Sequence, residues 1–104
     1  MDKAIGLIEV RGFTAALVAA DAAAKVAPVE IFSMEDTRPL GESGAIPVTV
    51  VVKLRGEVSA VMEAVAAGKK AARKICGDGI LAHVIPRPSG QLDEIVKRTT
   101  VGPQ

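Results

Sequence analysis

The side chains that most often do chemistry in proteins are few in this chain, and their spacing forms no catalytic set. His83 is the only histidine, and it lies in an apolar stretch with the pattern of a β-strand. Cys76 is the only cysteine, so one chain can form neither an internal disulfide nor a cysteine-based zinc site. No nucleophile can be paired with His83 by spacing, which favours a structural or interfacial role for the histidine over catalysis.

The carboxylates and glycines also lack the spacing of a metal or phosphate site. Glu35 and Asp36 are adjacent and Glu42 follows in the same polar segment, without the pattern of a calcium loop or a second histidine. The Gly-Asp-Gly run at 77–79 precedes a predicted strand rather than a helix, and it matches no phosphate-binding fingerprint. The sequence therefore predicts no catalytic residue, no metal site and no cofactor.

The composition argues against several classes of ligand. Aromatic residues make up 2% of the 104 residues, so few rings are available to stack on bases, sugars or flat cofactors. A formal net charge of +1 argues against general nucleic-acid binding. No apolar run approaches the roughly 18 residues of a membrane span, and no signal-peptide pattern is present, so we expect a cytosolic protein. The apolar residues are mostly Ala and Val, which bury little area each and favour a subunit of an assembly.

Hydrophobic periodicity predicts the order β-α-β-β-α-β with a short last helix. The predicted strands span residues 3–10, 29–34, 46–54 and 80–85, and the predicted helices span 14–27 and 57–75, with the short helix starting at Ser89 or Gly90. Thr14 is the predicted N-cap of the first helix, residues 35–45 are a predicted polar loop, and Arg55-Gly56 is a predicted turn. This order is that of an α+β, ferredoxin-like fold, with a four-stranded antiparallel sheet and two helices on one face.

Three blocks of sequence carry a family resemblance. They are AIGLIEVRGF at 4–13 followed by AADAAAK at 19–25, VVVKLRGEV at 50–58 followed by AAG at 66–68, and HVIPRP at 83–88. Together they resemble the bacterial microcompartment shell proteins of the single-domain, hexamer-forming type (BMC-H). The likeness spans about residues 4–97 of the chain. It implies a single shell domain over 1–98 and a flexible C-terminal tail over 99–104.

The resemblance implies a structural protein rather than an enzyme. Shell proteins of this type form flat cyclic hexamers that tile edge to edge into the facets of a polyhedral shell around metabolic enzymes. A narrow pore on the six-fold axis passes small polar metabolites. We therefore expect a homohexamer in the cytoplasm, within a microcompartment shell. Its expected partners are other shell proteins, encapsulated enzymes and permeating metabolites, with no nucleic acid and no membrane.

Matching motifs assign residues to the outer edge of the hexamer. Lys25, at the end of AADAAAK, resembles the family's edge lysine, and Arg87, in HVIPRP, resembles the arginine that inserts at the same hexamer–hexamer edge. A proline-flanked arginine loses little entropy when its planar fork donates to backbone carbonyls. His83, Pro86 and Pro88 are expected at the subunit interface, because two prolines stiffen a segment that then docks at low entropic cost.

The pore assignment rests on the connection between the second and third strands. Glu42, Ser43 and Gly44 fit the place of the family's short Gly-Ser-Gly-type loop, and residues 35–41 are interpreted as an insertion that enlarges it. Six Glu42 carboxylates near one axis would repel one another and would favour bound protons or cations. The alternative is an ion pair with Arg38 of the same segment, which would cancel that field.

Two other protein classes share the predicted order of elements. A trimeric, ferredoxin-like regulatory protein that senses small molecules would also have a long loop after the second strand, although its nucleotide-site motifs are not evident here. A small enzyme with the same fold is the third interpretation. The number of subunits discriminates between them, because six copies support the shell protein and three copies support the sensor.

Overall fold

The computed structural model describes residues 3–37 and 48–97, and its elements follow the predicted order. They are β1 (Ala4–Arg11), α1 (Phe13–Val26), β2 (Glu30–Thr37), β3 (Thr49–Gly56), α2 (Val58–Cys76), β4 (Leu81–Ile85), a 3₁₀ turn (Gly90–Leu92) and α3 (Asp93–Val96). The predicted β-α-β-β-α-β fold with a short C-terminal helix is therefore confirmed. Among the described helices, none has the length and apolar content that crossing a bilayer requires.

One four-stranded antiparallel sheet organises the subunit, with the strand order β2-β3-β1-β4. In the centre, Ile8 of β1 pairs with Val52 of β3 on one side and with Ala82 of β4 on the other. The edges of the sheet are therefore β2 and β4. No further strand of the described residues pairs with either edge, which leaves both edges open to strands of other chains.

The hydrophobic core lies between one face of the sheet and the two long helices. Ile8 and Val10 of β1, and Val50, Val52 and Leu54 of β3, are at most 2% exposed on this face. The helices contribute mainly small side chains to the core: Ala15, Ala16, Ala19, Ala20 and Ala23 from α1, and Ala60, Val61, Ala64, Val65 and Ala72 from α2. Small side chains let the two helices approach each other and the sheet closely.

The start of α1 differs from the prediction, because Thr14 is not its N-cap. Phe13 is already helical, and the N-cap residue is Gly12, whose side chain cannot accept a hydrogen bond. Gly12 has a φ of 98°, a backbone conformation that glycine adopts readily. Its amide donates to the Val48 carbonyl at 2.7 Å, so the backbone at the helix start is tied to the segment that enters β3.

Two segments predicted as irregular are strand. Residues 35–37 of the predicted polar loop continue β2, where they pair with residues 49–51 of β3. Arg55 and Gly56, predicted to form a turn, are the last two residues of β3 and pair with Ile5 and Ala4. Cross-strand pairing holds these polar residues extended, and that pairing is not visible in the local sequence.

Candidate functional site

Large apolar side chains remain exposed on several elements of the subunit. The most exposed are Leu81 of β4, Phe13 of α1, Met62 of α2 and Ile95 of α3, each more than half accessible. Single exposed apolar residues are ordinary, but here they occur on both long helices, on an edge strand and on α3. Together with the two open sheet edges, they indicate surfaces that become buried when subunits assemble.

Lys25 lies in the last turn of α1 and points into solvent. Its Nζ is 2.8 Å from the Asp21 Oδ2 one turn earlier, and 75% of its side chain is exposed. An exposed pair of this kind contributes little to folding, because solvent screens it and two long side chains lose entropy. Lys25 can therefore exchange Asp21 for an acceptor in another chain at little cost to the subunit.

The segment that contains the predicted interface residues lies along and beyond the β4 edge. His83 is exposed on β4, opposite Leu7 in the register, and Pro86 and Arg87 follow the strand as exposed residues, whereas Pro88 is half-buried. Within 3–37 and 48–97, no hydrogen bond or ion pair engages the Arg87 guanidinium. Its five N–H donors are thus available to acceptors in a neighbouring subunit.

The topology brings Lys25 and Arg87 to the same end of the subunit. The strand before Arg87 ends where β1 begins, with Ile85 opposite Ile5. The helix that carries Lys25 ends just before β2 begins, with Glu30 opposite Arg55 at that same end of the sheet. The two cations predicted at the hexamer edge therefore lie at the same end of the sheet, although they are 62 positions apart in the sequence.

The predicted pore residues Glu42, Ser43 and Gly44 lie outside the described residues. The strands that flank them fix where their segment is attached, because Thr37 at the end of β2 pairs with Thr49 at the start of β3. Thr49 also pairs with Arg11, the last residue of β1. The β2–β3 connection is therefore attached at the end of the sheet opposite to the one that carries Lys25 and Arg87.

A buried ion pair that the sequence did not predict lies on the sheet face that the long helices leave uncovered. Lys53 is 5% exposed and donates through Nζ to Glu35 Oε1 and, at 3.1 Å, to the backbone carbonyl of Val96. This lysine therefore ties β3, β2 and the C-terminal helix together. The available signal was a lysine in an otherwise apolar strand, at a position whose alternation points it away from the helices.

The residues considered for catalysis or metal binding lie on three different elements of the subunit. Cys76 is a half-buried free thiol at the end of α2, and His83 is exposed on β4. Glu35 is a strand residue paired with Lys53 rather than a loop carboxylate. In the part of the chain that the structure describes, no three His, Cys, Asp or Glu side chains are grouped to hold a metal ion.

The chain is similar in sequence to known shell proteins. Residues 4–88 match the family model described as the BMC domain. The chain is 41% identical over 96 residues to the bacterial microcompartment shell protein PduA of Citrobacter freundii, covering 92% of this chain and 94% of that protein. It is 40% identical over 97 residues to the carboxysome shell protein CcmK2 of Thermosynechococcus vestitus, covering 92% of this chain and 87% of that protein.

A solved structure shows the same fold. The crystal structure of a microcompartments protein from Desulfitobacterium hafniense DCB matches with a TM-score of 0.69 and 27% sequence identity, over 100% of this chain and 52% of that chain. The present chain thus spans about half the length of that protein.

The family match and the named relatives define the class as a structural shell subunit, and the open sheet edges and exposed apolar residues are consistent with assembly. The chain belongs to the BMC domain family. The function it shares with these relatives is that of a structural shell subunit, not of an enzyme. The family predicted from the three sequence blocks is therefore confirmed, and it displaces the trimeric sensor and the small enzyme.

Proposed function

We propose that this chain forms cyclic homohexamers that tile edge to edge into the facets of a bacterial microcompartment shell. The observation that carries the proposal is the BMC domain match over residues 4–88, which covers every strand and both long helices. One shell domain over 1–98 then supplies the whole subunit. Other shell proteins and the encapsulated enzymes are its partners in the assembled shell.

The opposite ends of the sheet support this arrangement. In a six-fold ring, one end of each subunit faces the axis and the other faces the rim. With the β2–β3 connection toward the axis, Glu42, Ser43 and Gly44 line a central pore, and Lys25 and Arg87 reach the rim. His83, Pro86 and Pro88 follow the open β4 edge, which a neighbouring subunit covers.

A ring of Glu42 carboxylates gives the pore its selectivity. Six like charges near one axis favour cations over anions, and Ser43 adds hydroxyl groups that suit small polar metabolites. A crystal of the assembled ring soaked in a heavy divalent cation tests this assignment. Density on the six-fold axis beside Glu42 is expected, and it should disappear in the Glu42→Gln variant. A segment directed away from the axis would overturn the pore assignment while leaving the shell function intact.

Assembly state tests the proposal directly. Native mass spectrometry should find six copies of the chain, and electron microscopy of concentrated protein should find flat sheets or tubes. A trimer or a stable monomer at micromolar concentration would contradict the hexamer. Hydrogen exchange then locates the subunit interface, because the amides of His83, Val84, Ile85 and Arg87 should be protected in the assembly relative to the dissociated chain.

A further inference from the structure

A charged cavity of about 340 Å³ lies at the end of the sheet where β1 begins and β3 ends, away from the β2–β3 connection. The first residues of β1 and β2 and the end of β3 line it on one side, and Pro88 and α3 border it on the other. Its charged lining comes from Lys3, Glu30, Arg55, Asp93 and Lys97. This volume is in the range of pockets that take small metabolites, roughly 300–1,000 Å³.

Arg55 is the best-placed binding group in this cavity, because two contacts fix its guanidinium. Its Nε donates to Glu30 Oε1 at 3.0 Å, and its Cζ lies 4.6 Å from the centre of the Phe32 ring. A guanidinium has five N–H donors in a planar fork, and the bond to Glu30 uses one of them. An immobilised fork loses little entropy when it binds a carboxylate or phosphate.

The balance of charges around the cavity is positive. Three cations and two carboxylates line it. Within residues 3–37 and 48–97, neither Lys3 nor Lys97 has an ion-pair partner. The hydrogen bond and the charge of Arg55 lower the pKa of Glu30, so this carboxylate is ionised at neutral pH and offsets one of the cations. The remaining excess positive charge favours an anion.

The roof of the cavity is held in place from the sheet. The buried Lys53 donates to the Val96 carbonyl at 3.1 Å and thereby positions α3. Val96 and Ile5 give the cavity an apolar part beside the charged groups. Pockets that bind small organic molecules combine an apolar lining with a few fixed polar groups in this way.

We propose that this cavity binds a small organic anion, whose carboxylate or phosphate lies between Arg55, Lys3 and Lys97. A short carbon chain of the ligand packs against Ile5 and Val96. The cavity lies at the end of the sheet opposite the attachment of the β2–β3 connection, and Pro88 of its lining also belongs to the proposed subunit interface.

Methyl NMR of Ile5 and Val96 in the intact protein, titrated with three probes, tests the proposal. The probes are butyrate, inorganic phosphate, and butylammonium, which has nearly the shape of butyrate and the opposite charge. Saturable shifts with butyrate or with phosphate are expected, and the stronger of the two identifies the anionic group that the cavity prefers. Saturation with neither anion, or equal binding of butylammonium, would overturn the proposal.

Three variants separate a binding site from general surface charge. Arg55→Gln should weaken anion binding by about tenfold or more, since it removes a charged donor. Glu30→Gln should strengthen binding severalfold, because it removes a competing carboxylate from the same arginine. Arg73→Gln removes another arginine that lies beside a single carboxylate, Asp78, outside the cavity, and it should leave binding unchanged.

The two variants are expected to change anion affinity in opposite directions, since Arg55→Gln should weaken binding and Glu30→Gln should strengthen it. Circular dichroism and the methyl spectrum establish that each variant is folded before it is titrated. Equal affinities in Arg55→Gln, Arg73→Gln and the natural chain would overturn the proposal. If Arg55→Gln does not fold, Glu30→Gln decides alone, since stronger binding supports the site and unchanged or weaker binding contradicts it.

Discussion

Gly68 is the residue at which one added methyl group should disturb the helix pair most directly. A Cβ there would lie 2.6 Å from Ile8 Cδ1 and 2.9 Å from the backbone oxygen of Ala19. Alanine favours a helix over glycine by about 1 kcal/mol, but overpacking against a backbone atom costs about 1–3 kcal/mol. We therefore expect Gly68→Ala to lower the free energy of unfolding, measured by urea denaturation at fixed protein concentration.

The matched control is Gly90→Ala. A Cβ at Gly90 meets nothing within 4 Å, so this substitution should change stability by less than about 0.5 kcal/mol. If Gly68→Ala were as stable as the natural chain or more stable, the close approach of α1, α2 and β1 at this position would be contradicted.

Glu30 offers a second test, through its titration. Arg55 holds the pKa of Glu30 below its ordinary value of 4.5, first by the hydrogen bond and then by its charge. A carboxyl group with a lowered folded-state pKa stabilises the fold above its unfolded-state pKa, and this contribution is lost as the pH falls through the folded-state value. The effect on stability is small because Glu30 is exposed.

The pKa itself is the sharper measurement. Side-chain NMR titration should give Glu30 a pKa below 4.5 in the natural chain and a value closer to 4.5 in Arg55→Gln. Arg73→Gln, which leaves the Glu30 pair intact, should not change it. Identical Glu30 titration curves in the natural chain and in Arg55→Gln would show that the ion pair does not form.

Strands and helices were predictable wherever periodicity was strong. The stripe of apolar residues in α2 and the apolar run in β3 placed both elements to within a few residues. The polar character of residues 35–37 predicts a loop, whereas their pairing with β3 keeps them extended. Element type is thus encoded locally here, whereas the length of an edge strand depends on its neighbour.

The docking of α3 could not be predicted for the same reason. Its tie to the sheet joins Lys53 to Val96, which is 43 positions away, and Lys53 to Glu35, which is 18 positions away. A lysine in an apolar strand signals a partner without identifying it. The order of the elements could therefore be predicted from the sequence, whereas the contact between Lys53 and α3 is visible only in the structure.

Replacing Lys53 tests whether this contact holds α3. Lys53→Met removes one partner of a buried ion pair and leaves Glu35 largely buried, which should cost about 3–5 kcal/mol. The amides of α3 should then exchange hydrogen faster, because their tether to the sheet is lost. Urea denaturation and hydrogen-exchange mass spectrometry give the two readouts.

Two further variants serve as controls for the expected effects of Lys53→Met. Lys53→Met combined with Glu35→Leu should recover part of the lost stability, since the Glu35 carboxylate is no longer left without its lysine. Lys74→Met, at an exposed lysine of α2, should change neither stability nor α3 exchange. Unchanged α3 exchange in Lys53→Met would mean that packing alone, and not Lys53, holds the C-terminal helix.

The residues proposed for assembly of the whole subunit are assigned by resemblance rather than by physical reasoning from one chain. Lys25 alone is an exposed lysine beside Asp21, and nothing in its surroundings distinguishes it from other surface cations. The motif singled it out, and the topology then placed it at the same end of the sheet as Arg87. That shared position, opposite the β2–β3 connection, is the independent physical support for a rim.

Lys25→Ala should abolish sheets and leave the hexamer intact. The pair of Lys25 with Asp21 is exposed and contributes little to folding, so the subunit and the ring should survive its loss. A contact between two rings related by a two-fold axis uses the same patch twice, so one substitution removes two lysines from every edge contact. Native mass spectrometry should still count six copies, while electron microscopy finds no sheets.

Lys74→Ala, at another exposed lysine in the last turn of a helix, should tile like the natural chain. Persistent sheets in Lys25→Ala would contradict the edge assignment, and a lost hexamer would place Lys25 inside the ring interface.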